Sequence, residues 1–296
     1  MIEFKAIKPT DRKIFEQFYT FKTIQNAESS FANLCAYAFI YNGEWAIIDD
    51  CLVTRIHFEK NKNICYHYPI GNGCKETIIE KLINLSKENN QKMCVICERK
   101  EKKPCFEELF EIKEERDFFD YLYLREDLAT LKGKKLQPKR NHINKFINKY
   151  NWKFEEITSS NSEECISLLK LWQERAIEKN PELKTDYEKE KRVIEYFFSN
   201  FEDLDLYAGA IRVDEKIVAF SIGSKINDNT FDIHIEKADK DYEGAFAIIN
   251  REMAIHIDKN YIYINREEDL GIEGLRKAKL SYNPIKLIEK YFAILK

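Results

Sequence analysis

Apolar positions recur along this chain in short runs, and their spacing switches repeatedly between a period of two and a period near 3.6. In the first half, WAIIDDCLVTRIHF (residues 45–58) reads as two strands with a turn at Asp49 and Asp50, and ICYHYPIG (64–71) as a third, ended by Pro69 and Gly71. KETIIEKLINLSKENN (75–90) carries Ile78, Ile79, Leu82, Ile83 and Leu85 on one helical face. KMCVICER (92–99) returns as a strand, FEELFEIKEE (106–115) reads as a helix, and FFDYLYLREDLATL (118–131) starts as a strand. ECISLLKLWQERAIEK (164–179) and EKEKRVIEYFFSNF (188–201) are amphipathic helices. LYAGAIRV, KIVAFSIGSKI and TFDIHIEKA follow, joined by the short turns DE and NDN, which predicts a three-stranded antiparallel meander. GAFAIINREMAIHID (244–258) is a helix, YIYIN (261–265) a strand, GIEGLRKAKL (271–280) a helix, and KLIEKYFAI (286–294) one closing strand or helix. Strands and helices mix in both halves, so the fold class is α+β, each half a mixed twisted sheet flanked by helices.

The 296 residues have room for about two domains of 100–200 residues each. The expected division is residues 1–130, a basic linker and helix at 131–150, and residues 151–296. No apolar run reaches the ~18 residues of a membrane helix, and MIEFKAIKPTDRK lacks the apolar core of a secretory signal, so a cytoplasmic protein without integral membrane contact is expected. The eight cysteines are expected as reduced thiols. Cys94 and Cys97 form a CxxC, but on a strand alternation points them to opposite faces, and no second such pair completes a zinc site. Neither a metal site nor a tightly held cofactor is expected.

Net charge is −3, which excludes bulk attraction to nucleic acid, but the charge is uneven. KGKKLQPKRNHINKFINK (132–149) holds Lys132, Lys134, Lys135, Lys139, Arg140, Lys145 and Lys149 and no carboxylate. From about Lys139 it reads as a helix whose apolar face is Ile143, Phe146, Ile147 and Tyr150. One reading is a solvated helix joining two domains; the other is a site for phosphate, a nucleic-acid backbone or a lipid head group, through Lys139, Arg140 and Asn141.

Two other places offer chemistry. In TFDIHIEKA, alternation puts Asp232, His234 and Glu236 on one face, where a His and a carboxylate could serve as general base and partner, or form a polar row facing water. After YIYIN the chain becomes abruptly charged: Asn265, Arg266, Glu267, Glu268 and Asp269, then Gly271 and Gly274, then Arg276, Lys277 and Lys279. Polar groups at the carboxyl end of a strand are where ligands bind in open α/β sheets. Carboxylates there could hold an amine, and Arg276 and Lys279 a phosphate or carboxylate; the alternative is a set of surface ion pairs.

The order of elements in the second half is that of GNAT-type acyltransferases. FDYLYLREDLATLKGKKLQPKRNHINKF, HIEKADKDYEGAFAIINREMA, YINREEDLGIEGLRKAKLSYNP, AESSFANLCAYAFIYNGEW and YHYPIGNG resemble one bacterial family, proteins similar to the C-terminal domain of phosphatidylglycerol lysyltransferase. The resemblance spans nearly the whole chain. It implies tandem GNAT-like domains and distant kinship to Fem-type transferases, which take an aminoacyl group from tRNA. It also implies functional roles for Asn265, Arg266, Glu267, Asp269, Gly271, Arg276 and Lys279. In GNAT enzymes the helix after the third meander strand cradles pyrophosphate; here that segment, DKDYEGAFAIIN, offers Tyr242 and Gly244 but has Asp241 and Phe246 where the pattern has Arg or Gln and a small residue. The expectation is an acyl- or aminoacyl-transferase with catalytic candidates His234, Glu236 and Asp269. Aminoacyl-tRNA or acyl-CoA would be the donor and a small molecule or lipid headgroup the acceptor. The alternative is a catalytically inactive module that binds an anionic small molecule.

Overall fold

The structure, a computed structural model, describes residues 2–19, 24–58, 63–97, 108–158 and 162–296. Two mixed sheets organise them. The first is built from β1 (Lys5–Ala6), β2 (Glu44–Ile48), β3 (Cys51–Phe58), β4 (Asn63–His67), β5 (Ile70–Gly71), β6 (Lys92–Cys97), β7 (Phe110–Glu114) and the last strand, β15 (Tyr291–Leu295). Its order is β1-β2-β3-β4-β6-β15-β7, with β5 on β3. Asp49 and Asp50 join β2 to β3 with φ of 45° and 59°, the left-handed pair that a two-residue hairpin of matching twist requires.

The second sheet comprises β8 (Asp120–Leu124), β9 (Trp152–Ile157), β10 (Tyr207–Val213), β11 (Lys216–Asn227), β12 (Thr230–Ala238), β13 (Tyr263–Asn265) and β14 (Lys286–Ile288), in the order β14-β8-β13-β12-β11-β10-β9. The meander expected over β10 to β12 is present, and β12 pairs in parallel with β13. Its core strand β11 buries nearly every side chain, because helices cover both faces. On one face lie α1 (Arg12–Phe18), α2 (Phe31–Tyr41), α6 (Glu163–Lys179) and α7 (Lys184–Ser199), packed on Ala208, Ala210, Phe220 and Ile222. On the other lie α4 (Arg125–Thr130), α5 (Gln137–Lys149) and α8 (Ala245–His256), packed on Ile211, Val218 and Phe231. Helix α3 (Lys75–Glu88) covers the first sheet with the expected Ile78, Ile79, Leu82 and Ile83, and α9 (Glu273–Leu280) follows β13.

Three expectations are corrected. FEELFEIKEE is not a helix over its length: Phe110–Glu114 is β7, while its first two residues lie outside the described ones. Its Phe110 and Ile112 already alternate, and β15, some 180 residues downstream, supplies the ladder. KLIEKYFAI is two strands rather than one element, β14 in the second sheet and β15 in the first. Consequently the sheets exchange strands across residues 131–150: β8 precedes that segment yet joins the second sheet, and β15 follows it yet joins the first. One apolar cluster also runs through both halves, from Phe15, Phe31 and Trp45 to Leu168, Phe197 and Phe220.

The third correction concerns β12. Ile235 pairs with Ile222 and Ile233 with Gly223, so His234 is an extra residue, a β-bulge. The alternation flips there. Phe231 and Ile233 face α8, Ile235 faces α6 and α7, and His234 stacks on Phe197 of α7 with ring centroids 5.2 Å apart. Glu236 therefore faces α8, on the side opposite to Asp232 and His234, because one inserted residue moves every later side chain to the other face.

Candidate active site

Strands β12 and β13 pair only through Thr230↔Tyr263, Phe231↔Ile264 and Asp232↔Asn265. Beyond that point β12 runs on to Ala238, while the chain after Asn265 turns away, with Glu267 at φ 54°. The two diverge as a V, and side chains bridge it on both faces. On the α7 face Glu267 meets His234; on the α8 face Arg266 Nη2 donates to Glu236 Oε1 at 2.9 Å.

On the α7 face, His234 Nδ1 lies 3.2 Å from Glu267 Oε1 and 3.3 Å from Asp232 Oδ2, and its Nε2 hydrogen-bonds Ser224 Oγ at 2.8 Å. Ser224 Oγ is in turn 3.2 Å from Ser30 Oγ at the start of α2, and Asn33 Nδ2 donates to Glu267 Oε1 at 2.7 Å. Burial disfavours a charged imidazole, but Asp232 and Glu267 outweigh it and lift the His234 pKa to about 9. Burial raises both carboxylates as well. Neither oxygen of Asp232 accepts a hydrogen bond from a described residue.

The polar seam continues towards the junction of the two sheets. Lys290, 1% exposed between β14 and β15, reaches Asp120 Oδ1 at 2.7 Å, Glu28 Oε1 at 2.5 Å and Glu268 Oε2 at 3.7 Å. The other oxygen of Asp120 accepts from Ala27 N and Asn265 Nδ2. Asn265 also holds Glu267, accepting its backbone N–H at 2.7 Å. Burial lifts Glu28 to about 8 even against Lys290, and raises Glu268 too. Lys290, opposed by burial but surrounded by three carboxylates, is held well above its ordinary value.

On the α8 face, Glu236 also accepts from Asn250 Nδ2 of α8. The Arg266 guanidinium lies over Tyr282, 4.8 Å from the ring centroid, and Lys139 Nζ sits 4.0 Å from the same ring. Burial and the nearby Arg266 lower the Lys139 pKa.

The remaining expected residues separate from the V. Lys279 is buried and donates to the carbonyls of Arg266 (2.5 Å) and Glu268, which makes it a clamp on the charged turn. Asp269, fully buried, accepts from Tyr121 Oη at 2.5 Å, from Arg116, from Gly271 N and from Arg276 twice. Burial opposes its charge, yet the Arg276 and Tyr121 bonds pull its pKa down to about 2. Asp269, Gly271 and Arg276 thus form a closed knot with Asp117 and leave no acceptor open for a substrate amine. Arg140 caps the carbonyls of Leu131 and Gly133. Tyr242 packs on Tyr150, and Asn141 is exposed. Gly244, at φ 94°, begins α8 against α5, where an added Cβ would come within 2.6 Å of His142 O.

Asp120, Lys290, Glu28, Asn33 and Ser224 belong to the seam, but the pattern of the chain did not single them out. Asp120 and Lys290 each interrupt an apolar strand region, which was the available signal. Neither cavity of note adds a larger site. The wider one, about 740 Å³, is lined by Trp45, Ile47, Lys81 and Leu85 and by no residue of the V; a small one of about 50 Å³ reaches Ser224.

With this geometry in place, residues 21–294 match the family described as phosphatidylglycerol lysyltransferase, C-terminal. The chain belongs to this family. A curated relative, the uncharacterized protein MYCGA3080 of Mycoplasmoides gallisepticum, is 28% identical over 173 residues, 58% of this chain and 54% of the relative. The chain thus aligns with about half the length of the curated relative it matches. Among solved structures, a conserved protein of unknown function from Bacteroides thetaiotaomicron superposes with TM-score 0.93 at 43% identity over 100% of both chains. L-PGS from Bacillus licheniformis gives 0.66 at 14% identity, over 99% of this chain and 93% of that one. A tandem GNAT protein from the clavulanic acid biosynthesis pathway gives 0.53 at 7% identity, over 99% and 98%. The fold of this phosphatidylglycerol lysyltransferase family member is a tandem GNAT-like one, as expected. Among the described residues no helix is long and apolar enough to cross a membrane.

Proposed function

We propose that the chain transfers an aminoacyl group from aminoacyl-tRNA to an amine or hydroxyl acceptor, a small molecule or a lipid headgroup, at the V between β12 and β13. One observation carries this reading. The buried seam sets four carboxylates, Asp120, Asp232, Glu267 and Glu268, and the protonated Glu28 against three cations, His234, Lys290 and the nearby Lys279. Buried surplus negative charge is costly unless a cation arrives to offset it, and the α-amino group of an aminoacyl ester is such a cation. The Glu28–Glu268 end suits it. His234 has both ring nitrogens engaged, so in this reading it orients Asp232 and Glu267 rather than acting as a free base.

Charge supports this donor. Lys132, Lys134, Lys135 and Lys149 are exposed around the start and end of α5, available to a phosphate backbone. The start of α8 suits the pyrophosphate of acyl-CoA poorly. Asp239, Asp241 and Glu243 precede it and hold Arg175, Lys216 and Lys145 in ion pairs, and the amides of Ala247 and Ile248 already bond Gly244 O.

The test is transfer of radiolabelled amino acid from a charged tRNA pool, with phosphatidylglycerol vesicles or small amines as acceptors. Label should leave tRNA in a chain-dependent, salt-sensitive way, and Lys134→Glu with Lys135→Glu should lower the salt slope. Binding of charged tRNA that is absent at low salt, with no transfer to any acceptor, removes this function. A second reading, an inactive module for an anionic small molecule, is favoured by Arg266, whose buried Nη1 has no hydrogen-bond partner among the described residues, beside Lys139. Anion binding lost in Arg266→Met, with no turnover of any donor, would select it.

A further inference from the structure

We infer that Asp232, His234 and Glu267 form a binding site for a divalent first-row metal ion of the Mn²⁺ or Zn²⁺ class. Each residue offers one ligand atom, and the three atoms lie within 4.8 Å of one another. The two spacings from His234 Nδ1, 3.2 Å to Glu267 Oε1 and 3.3 Å to Asp232 Oδ2, match what a common metal imposes. With bonds of about 2.1 Å, neighbouring ligand atoms stand roughly 3.0 Å apart in an octahedron and 3.4 Å in a tetrahedron.

Spacing alone would suit an ion pair as well, so the decision rests on hydrogen-bond supply. A single Nδ1 proton can serve one carboxylate. Glu267 has the better position for it, and it also receives Asn33 Nδ2. Asp232, 0% exposed, has His234 Nδ1 3.3 Å from its Oδ2 but no well-formed hydrogen bond to either oxygen from any described residue. A third buried acceptor, Asn33 Oδ1, is likewise unpaired. Buried carboxylate oxygens without donors are a strong penalty that a shared cation removes.

The outer contacts also fit. Ser224 Oγ stands 2.8 Å from His234 Nε2 and is braced by Ser30. With Nε2–H donating to Ser224, an ion that displaces the Nδ1 proton would meet a lone pair aimed at the two carboxylates, the arrangement in which a ligating histidine is held by its other nitrogen. The β-bulge at His234 brings this ring to the face of Asp232, and the left-handed Glu267 brings the third ligand across the V. One imidazole with two carboxylates favours Mn²⁺, Fe²⁺ or Zn²⁺ over a thiolate-seeking ion.

This inference does not depend on aminoacyl transfer, since metal binding is read without substrate. The full chain is dialysed against chelator and then titrated with Mn²⁺, with free ion followed by electron paramagnetic resonance. Manganese is chosen because cysteines elsewhere in the chain would capture Zn²⁺. The expected result is saturation near one ion per chain with a rise in Tm on binding. Asp232→Asn and Glu267→Gln should each weaken binding about tenfold or more, and Ser224→Ala, which disturbs only the outer contact, about tenfold. Circular dichroism checks that the variants fold. Glu267 is at the partly exposed side of the cluster, so its variant carries the test if Asp232→Asn does not fold. Absence of saturation near one ion per chain, or saturation unchanged in the folded variants, overturns the site and leaves an internal ion pair.

Discussion

At the scale of single residues, the same side-chain types do opposite work. Glu267 and Asp269 are two positions apart in one turn. Glu267 faces the V and shares His234 with Asp232, whereas Asp269 is saturated by two arginines, a tyrosine and a backbone amide. Asp269 should therefore govern acid stability. Its pKa is held at about 2 in the folded chain against an ordinary 3.8, so it contributes stability above its unfolded value that disappears as pH falls through the folded one. The nearly two-unit depression corresponds to on the order of 2 kcal/mol. Urea denaturation should show Asp269→Asn less stable than the parent by about that amount near neutral pH, with the gap closing between about pH 4 and pH 2. A gap that stays constant over this range would show that the knot does not depend on the charge of Asp269.

At the scale of elements, the bulge in β12 determines which candidates can meet. Alternation over TFDIHIEKA grouped Asp232, His234 and Glu236; the extra residue keeps the first two together and sends Glu236 to Asn250 and Arg266. Gly223 lies opposite the bulge. A Cβ there would meet Asp232 O at 2.3 Å and the Phe231 ring at the same distance, so only glycine lets β11 approach this closely. Gly223→Ala should destabilise the chain by about 2 kcal/mol or more, since overpacking against backbone cannot be relieved by a side-chain rotation. It should also perturb the His234 ring signals in nuclear magnetic resonance. A variant with parental stability and unshifted His234 resonances would mean that the bulge does not depend on this contact.

At the scale of the whole molecule, the two sheets are tied by exchanged strands and a shared core. Residues 131–296 alone would lose β8, on which β13 and β14 both pair, and would carry β15 with no sheet to join. Residues 1–130 alone would lose β15 from between β6 and β7. Both fragments should be largely unfolded by circular dichroism and proteolysis, and should regain native signal only when mixed. Two independently cooperative fragments would contradict this reading. The candidate site depends on the same tie: Lys290 comes from the link between β14 and β15, Glu28 and Asn33 from the start of α2 and its approach, and Asp120 from β8.

What the chain determined by itself is whatever local periodicity and turn chemistry specify. The meander, the amphipathic helices α3, α6 and α7, and the Asp49–Asp50 hairpin were legible because each is decided by neighbours a few residues away. Among the site residues, the charged run after YIYIN and the polar face of TFDIHIEKA were visible as departures from an apolar pattern. Long motifs also carried the family resemblance. Only the tertiary structure decided the rest. Strand β7 needed a partner some 180 residues away, and the final segment divided between two sheets. His234 became a bulge only because Ile222 and Gly223 set the register opposite it. Nothing local marked Lys290 and Asp120 as partners; burial, with almost no water to solvate them, forced each charge to find the other.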